Sequence, residues 1–540
     1  MTSPATTAII KNWVHDCTTS HPLCKPPDQS FLPSRLIDVG DERSKDARLI
    51  LTRDASDCQQ MNEKSARYIA LSYCWGLGDN AKDATEFTAT PETIQQHLNM
   101  LPIQSLPRTI LDAIAFTRRL GVRYLWVDSL CIIQGNSIEA REDWMKESPL
   151  MAEIYGRAYL TIASTWAKSM HDGIFITRPS DPEKCVGLGL RSLENPRCKG
   201  VVKLVPKHDS PVDSMDEPLH RRAWALQERI LSRRVLICNR DQLVWECQSC
   251  CFTESGFKMR GIGRMRLDRE FLDDLESNDK AFQSNWACVV TDYCHKCLTN
   301  PSDKLPAIGG LAKKFHLFHP EDEYLAGLWK ESILHDLLWV HKNYDTPSNY
   351  SERCKPQSYR APSWSWASVD GGVRWMFSEA AGKSVHARLL DHRVTTEGRD
   401  VFGMIKYAHI TLQAPLWKLP EDLKNALLNT RSVDDCAPLQ NIPEDVNIGN
   451  WQSGIAIDAH WEDCSLAEVM QAEKAAAMDF YFLGIRDDIS LILSSPKVIE
   501  EGQDRYYERV GIHGDSVGFG RGSWREGLSP CFVTSICKLV

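Results

Sequence analysis

The stretch YLWVDSLCIIQ, residues 124–134, decides how the first half of the chain is read. Tyr124, Leu125, Trp126 and Val127 have the apolar density of a buried strand. The run breaks at Asp128 and Ser129, then resumes with Leu130, Cys131, Ile132 and Ile133. An acid and a hydroxyl set between two apolar runs predict that the strand stops there, at a polar boundary.

The neighbouring segments repeat the pattern. RYIALSYCWG (67–76) reads as a strand ending in Gly76. LPRTILDAIAFTRRLG (106–121) reads as a helix, with Pro107 in its first turn and Gly121 as its stop. Its apolar side is Ile110, Ala113, Ile114 and Leu120. VRYLWVDS (122–129) is the next strand, REDWMKESPLMAEIYGRA (141–158) the next helix, with Trp144, Met151 and Tyr155 at helical spacing, and AYLTIAST (158–165) a third strand. Strand, helix, strand, helix, strand predicts a parallel α/β sheet. Ligands of open α/β sheets sit beyond the carboxyl ends of the strands. Asp128 and Ser129 lie at one such end and Tyr73 to Gly76 at another, so both mark the rim of a crevice.

Further along, HRRAWALQERILSRRVLIC (220–238) reads as a helix running into a strand, followed by DQLVWEC (241–247). The pattern then turns mainly helical, including EYLAGLWKESILHDLLWV (323–340), and after a Pro- and Ser-rich break at 343–362 it turns β-rich, with a helical insertion near 464–478. The division expected is an N-terminal segment 1–45, an α/β domain 46–255, a helical region 256–345 and a β-rich region 346–540. No internal repeat is visible.

The 540 residues are 43% hydrophobic and 25% charged, an ordinary soluble composition. A net charge of −9 with acids and bases interspersed argues against binding nucleic acid through phosphates. Seventeen Trp predict large, well-filled cores. The N-terminus lacks the features of a secretory signal, and no apolar window reaches the roughly 18 residues of a membrane helix. Nineteen Cys without a signal peptide read as reduced, buried small hydrophobes, and the expected location is cytoplasmic.

Several blocks in fixed order, ALSYCWG (70–76), LPRTILDAI (106–114), LGVRYLWVDSLCIIQ (120–134), DWMKE (143–147), MAEIYGRAYLTIAS (151–164) and RAWALQERILSRRVL (222–236), resemble the fungal heterokaryon incompatibility (HET) domain family. WEC (245–247) and PSWSWAS (362–368) recur in full-length members. The resemblance is strong over about 50–260 and loose beyond. It implies a TIR-like fold, a role in self/non-self recognition and the triggering of programmed cell death. It also implies NAD as a substrate rather than a cofactor, since some TIR-like folds hydrolyse NAD with a glutamate near the sheet's carboxyl edge.

On that resemblance the candidate acid is Glu147, facing the crevice beside Asp128. A carboxylate there would stabilise an oxocarbenium-like state or help water attack. The other reading of Glu147 is an exposed helical glutamate, and Pro149 breaks the helix close by. Asp128 and Ser129 would orient ribose hydroxyls of a nucleotide, or simply cap the turn after the strand. Tyr73, Trp75 and Gly76 would form a loop over the ligand, or a core aromatic and a turn. Arg222 would contact phosphate, or Glu228 would pair with an arginine to lock helix to sheet. No GxGxxG or Walker-type loop is present.

Trp364 and Trp366 of PSWSWAS share a face at strand spacing and carry no chemistry. No metal is assigned. Cys17, His21 and Cys24 offer three zinc ligands with no evident fourth, while Cys247, Cys250, Cys294 and Cys297 offer two CxxC pairs too far apart for a compact ribbon. Three readings of function stand together: an effector consuming NAD; a non-enzymatic module that recruits a protein partner or self-associates; and a related scaffold used for small-molecule tailoring in a fungal biosynthetic cluster.

Overall fold

Continuous apolar runs become the centre of a sheet, because a strand between two parallel neighbours is covered on both faces. The computed structural model describes residues 4–25, 31–53, 67–76, 87–176, 186–191, 199–204, 217–256, 258–259, 279–342, 356, 358–375, 385–421, 424–425, 454–457, 477–486, 489–498, 505–514 and 533–540. The chain divides into two units, Met1–Asp273 and Asp274–Val540.

The first unit contains helix α1 (Pro4–Ser20) and strands β1 (Arg35–Asp38), β2 (Arg48–Leu51) and β3 (Tyr68–Ser72). Helices α2 (Ile94–Asn99) and α3 (Arg108–Arg119) lead to β4 (Tyr124–Trp126). Then come the one-turn helix α4 (Asp128–Cys131), α5 (Ile138–Glu147), α6 (Met151–Arg157) and β5 (Leu160–Ser164). A separate hairpin, β6 (Val186–Arg191) with β7 (Lys199–Leu204), precedes α7 (Ala223–Leu231). The meander β8 (Arg234–Cys238), β9 (Leu243–Cys247), β10 (Cys251–Thr253) and β11 (Lys258–Met259) closes the unit.

One nine-stranded sheet results, ordered β11-β10-β9-β8-β5-β3-β4-β1-β2. Its centre is parallel: β3 pairs with β4 and β5, and β5 with β8. The remaining pairings are antiparallel. Every residue of β3, β4, β5 and β8 is buried. The chain lays down β3, then β4 on one side, then β5 and β8 on the other. That order reverses direction at the β3/β5 boundary, the kind of switch point at which doubly wound sheets open a crevice. The expected α/β architecture is present, but the sheet is mixed, with parallel pairing confined to β4, β3, β5 and β8.

The N-terminal segment, read from sequence as mixed, contains α1. Ile10, Val14 and Cys17 recur at one helical face and are buried in the core, and Trp13 meets Trp245 of β9 at 6.1 Å between ring centroids.

In the second unit, α8 (Asp279–Cys294) and α9 (Pro306–His316) match the expected helical region. The segment 323–340 does not. It forms the hairpin β12 (Tyr324–Leu325) and β13 (Leu328–Trp329), one helical turn α10 (Ile333–Asp336), and the start of β14 (Trp339–Lys342), which pairs with β15 (Gly372–Trp375). Ala326 and Gly327, at φ 49° and 102°, make the two-residue turn between β12 and β13. Two successive positive φ angles suit a type I′ hairpin turn and end any helix.

PSWSWAS is likewise not a strand. Ser365 accepts the Ala367 amide at 3.1 Å and starts a short 3-10 turn, Trp366–Ser368. Both tryptophans are buried, but each is fixed by a hydrogen bond: Trp366 Nε1 donates to the Gly327 carbonyl at 2.9 Å, and the Trp364 carbonyl accepts from Trp339 Nε1 at 3.0 Å.

The β-rich end comprises β16 (Arg388–Thr396), β17 (Ile405–Lys418), β18 (Gly454–Ile457), β19 (Met478–Arg486), β20 (Ile489–Pro496), β21 (Tyr506–Gly514) and β22 (Val533–Leu539). Pairings run β17-β19-β20-β21-β22 and return from β22 to β17, closing a barrel-like ring. Closure removes free edges from those strands. The helical insertion expected near 464–478 lies outside the described residues except for its last two, and Met478 opens β19. No helix among the described residues is long and apolar enough to cross a membrane.

A Cβ on Gly327 would stand 2.6 Å from Trp366 Nε1. Gly327→Ala should therefore destabilise the second unit by roughly 2–4 kcal/mol, from positive φ plus overpacking. Urea unfolding followed by tryptophan fluorescence would measure it.

Candidate functional site

Strand β3 ends at Ser72, and the next four residues turn across the carboxyl edge of the sheet. Gly76 takes φ 130°, a conformation that favours glycine. Tyr73 is buried and its Oη donates to Ser129 Oγ at 2.8 Å. Trp75 is half-buried, and its Nε1 donates to Asp128 Oδ2 at 3.0 Å. Two of the segments singled out by sequence are thus brought together by direct hydrogen bonds.

Asp128 begins α4, and its Oδ1 accepts the amide of Ser129 at 2.7 Å. Ser129 is fully buried while Asp128 is half-buried. The same carboxylate thus accepts both the amide that follows it and the indole of Trp75. Burial raises Asp128 above the usual carboxylate range, with Arg222 opposing.

The fourth contributor is α7. Arg222, its N-cap residue, is half-buried and donates through Nη1 to the Tyr73 carbonyl. Glu228, one helix face further in, is buried and accepts from Ser72 Oγ at 2.5 Å. The helix-to-sheet lock expected from Glu228 is there, but its nearest hydrogen-bond partner is the serine that ends β3. Burial pushes the Glu228 carboxyl up to about 7, Arg222 opposing and Asp128 adding to the rise. Tyr155, on α6, is buried and donates to the Leu71 carbonyl at 3.0 Å. Loop 165–176 borders the opening, with the Met170 amide reaching the Trp75 carbonyl at 3.4 Å.

Glu147 is the last residue of α5, in the same unit. Ser137 caps α5 by accepting the Ala140 amide, and the helix buries Ala140, Asp143 and Glu147 on one face. The exposed-glutamate reading is overturned: Glu147 is 1% exposed. The helix does break after it, at the 3-10 turn Ser148–Leu150 containing Pro149. The face is inward because Asp143 binds Arg35, Oδ1 at 2.5 Å from Nη2, and accepts the Ile133 amide at 2.8 Å. Glu147 exerts its charge on Arg35 and Cys131, and the hydrogen bonds of Asp128 run to Trp75 and Ser129. Its Oε1 lies 3.3 Å from Lys146 Nζ, yet makes no hydrogen bond among the described residues.

The cysteines resolve differently from the sequence expectation. Cys247, on β9, comes to Cys17, His21 and Cys24, so the N-terminal trio has a fourth neighbour. Cys294 and Cys297 belong to the second unit.

Residues 68–228 match the family model described as Heterokaryon incompatibility protein (HET). Over that span the chain is similar to HET domains. No curated protein and no solved structure matches the chain. The HET match opens on the first residue of β3 and closes on Glu228 itself. It therefore encloses every member of the carboxyl-edge cluster and excludes α1, β1, β2 and β8 to β11.

Sequence reasoning named Tyr73, Trp75, Asp128, Ser129 and Arg222 but gave Glu228 no chemistry. Glu228 had one available signal: an acid on the inner side of an apolar helix, among Ala225, Ile230 and Leu231, all buried.

Two outcomes follow. Asp143→Asn, which leaves Arg35 buried without its anion, should cost about 3–5 kcal/mol of stability by denaturant titration. Glu228 binds its proton more tightly folded than unfolded, so its stabilising effect is complete below about 4.5 and is lost as pH rises through about 7. That loss amounts to about 3 kcal/mol. Glu228→Gln should flatten this part of the profile, measured by urea midpoints at about pH 5 and about pH 8.

Proposed function

We propose that the HET domain acts as the effector of self/non-self recognition, and that its carboxyl-edge crevice binds NAD and cleaves the bond between nicotinamide and ribose. Consumption of NAD would then trigger cell death. The observation that carries this reading is the convergence of half-buried Asp128 and Arg222 on buried Glu228 at the β3/β5 switch point. Cleavage sends the electron pair of the ribose C–N bond onto the nicotinamide nitrogen and leaves an oxocarbenium-like ribosyl centre. Asp128, at the opening, stabilises that positive charge; Arg222 faces the diphosphate; water adds to the ribosyl carbon and its proton passes to a carboxylate. A carboxyl held near neutrality, as Glu228 is, suits proton exchange at physiological pH.

A second reading draws on the same cluster. Trp75 with Asp128, Tyr73 with Ser129, Ser72 with Glu228 and Arg222 with the Tyr73 carbonyl partner one another without a ligand. So self-sufficient a set also serves a rigid interaction module, one that recruits a protein partner or self-associates without chemistry.

The test is incubation of full-length protein with NAD, following nicotinamide by chromatography. Asp128→Asn should lower release by roughly 100-fold or more, in the range of a lost acid–base or electrostatic group. Release lost in Glu147→Ala and retained in Asp128→Asn would move the chemistry to Glu147. Folded protein that releases no nicotinamide would sink the hydrolase reading and leave the module, for which light scattering would then report self-association.

A further inference from the structure

We propose that Cys17, His21, Cys24 and Cys247 form a structural zinc site that fastens α1 to strand β9. Their ligand atoms, three thiol sulfurs and one imidazole nitrogen, all lie within 4.8 Å of one another. At a zinc–sulfur distance of about 2.3 Å, a tetrahedral edge is roughly 3.8 Å, so only a small contraction completes the shell. Cys247 Sγ already stands 3.4 Å from His21 Nδ1, although the two are 226 residues apart.

The local geometry follows from the sequence. Cys17 is on the last turns of α1, the His21 amide bonds back to its carbonyl at 3.3 Å, and the Cys24 amide bonds to the His21 carbonyl at 3.1 Å. This tight descent from the helix turns all three side chains toward β9. Cys17, Cys24 and Cys247 are buried and free of disulfides, and His21 is half-buried. Packing alone would explain three small thiols in a core, but it does not explain an imidazole among them.

Arg234 is the second, independent observation. It is 2% exposed, and its described hydrogen bonds run from Nε to Cys17 Sγ at 3.3 Å, and to the carbonyls of Cys24 and Tyr159. A buried guanidinium requires a compensating negative charge. Three thiolates and a neutral imidazole around a divalent ion carry one net negative charge, which Arg234 balances while donating to a ligand sulfur, as outer-shell groups of metal sites do. Four protein ligands leave no open position, so the site is structural rather than catalytic. Thiolate-rich tetrahedral sets select zinc among common divalent ions.

The site lies wholly outside the HET match, its ligands coming from before residue 68 and after residue 228. It also excludes Cys250, whose Sγ is 3.4 Å from that of Cys247.

The experiment uses full-length protein purified under reducing conditions. Elemental analysis should find about one zinc per chain, and exchange with cobalt should give the intense visible bands of a tetrahedral thiolate site. Cys17→Ser and Cys247→Ser should weaken metal binding at least tenfold against a chromophoric chelator, whereas Cys250→Ser should retain it. His21→Cys should keep cobalt and strengthen the sulfur-to-cobalt charge-transfer band, which tests the ligand set even where a serine variant fails to fold. Folded wild-type protein that holds no zinc and gives no cobalt spectrum would overturn the proposal. So would loss of metal in Cys250→Ser, or a cobalt spectrum unchanged by His21→Cys.

Discussion

Strand β3 is paired on both edges with parallel neighbours, and all five of its residues are buried. Water cannot solvate the backbone where such a strand ends, so other elements must supply the partners. The first unit is arranged around that requirement. Tyr155 of α6 takes the Leu71 carbonyl, Arg222 takes the Tyr73 carbonyl, and Glu228 takes the Ser72 hydroxyl. Groups recruited to finish the strand are the same groups that put a carboxyl and a guanidinium at one edge of the sheet.

That double duty explains why part of the site could be read from sequence and part could not. Asp128 and Ser129 interrupt an apolar run, and a break in a run is a local signal. Tyr73 to Gly76 follow a strand directly, so their place at the edge came with the strand. Glu228 and Glu147 break no apolar run, and an acid on an amphipathic helix ordinarily faces solvent. Each is inward because of a residue distant in sequence, Ser72 for one helix and Arg35 for the face shared by Asp143 and Glu147. Long-range partners are invisible to periodicity.

The misread elements fail for related reasons. The segment 323–340 has helical spacing of its apolar residues, yet Ala326 and Gly327 take positive φ, and the Gly327 carbonyl accepts indole hydrogens from both Trp286 and Trp366 at 2.9 Å. Tertiary hydrogen bonds to one carbonyl outweigh the weak local preference for helix. Cys17, His21 and Cys24 were legible as three ligands, but the residue that meets them stands on a strand whose position depends on the completed sheet. Helix α1 escaped notice because its buried positions Ile10, Val14 and Cys17 are separated by lysine, asparagine, histidine and aspartate.

The boundaries of the HET match raise a question of mechanics that the contacts answer. Glu228 is the last residue matched, and its helix also bonds to a residue after the match. Arg229, its neighbour on α7, pairs with Glu246 of β9 at 2.9 Å. Glu246 in turn precedes Cys247, the residue that meets the N-terminal trio. Strand β9 thus presents an acid to α7 and a thiol to the segment after α1 from adjacent positions, whose side chains leave a strand on opposite faces. The acid pairs with the helix that carries Arg222 and Glu228, and the thiol lies beside the segment after α1. The flanking strands and the N-terminal helix, outside the matched domain, therefore act as the brace that keeps α7 against the end of β3.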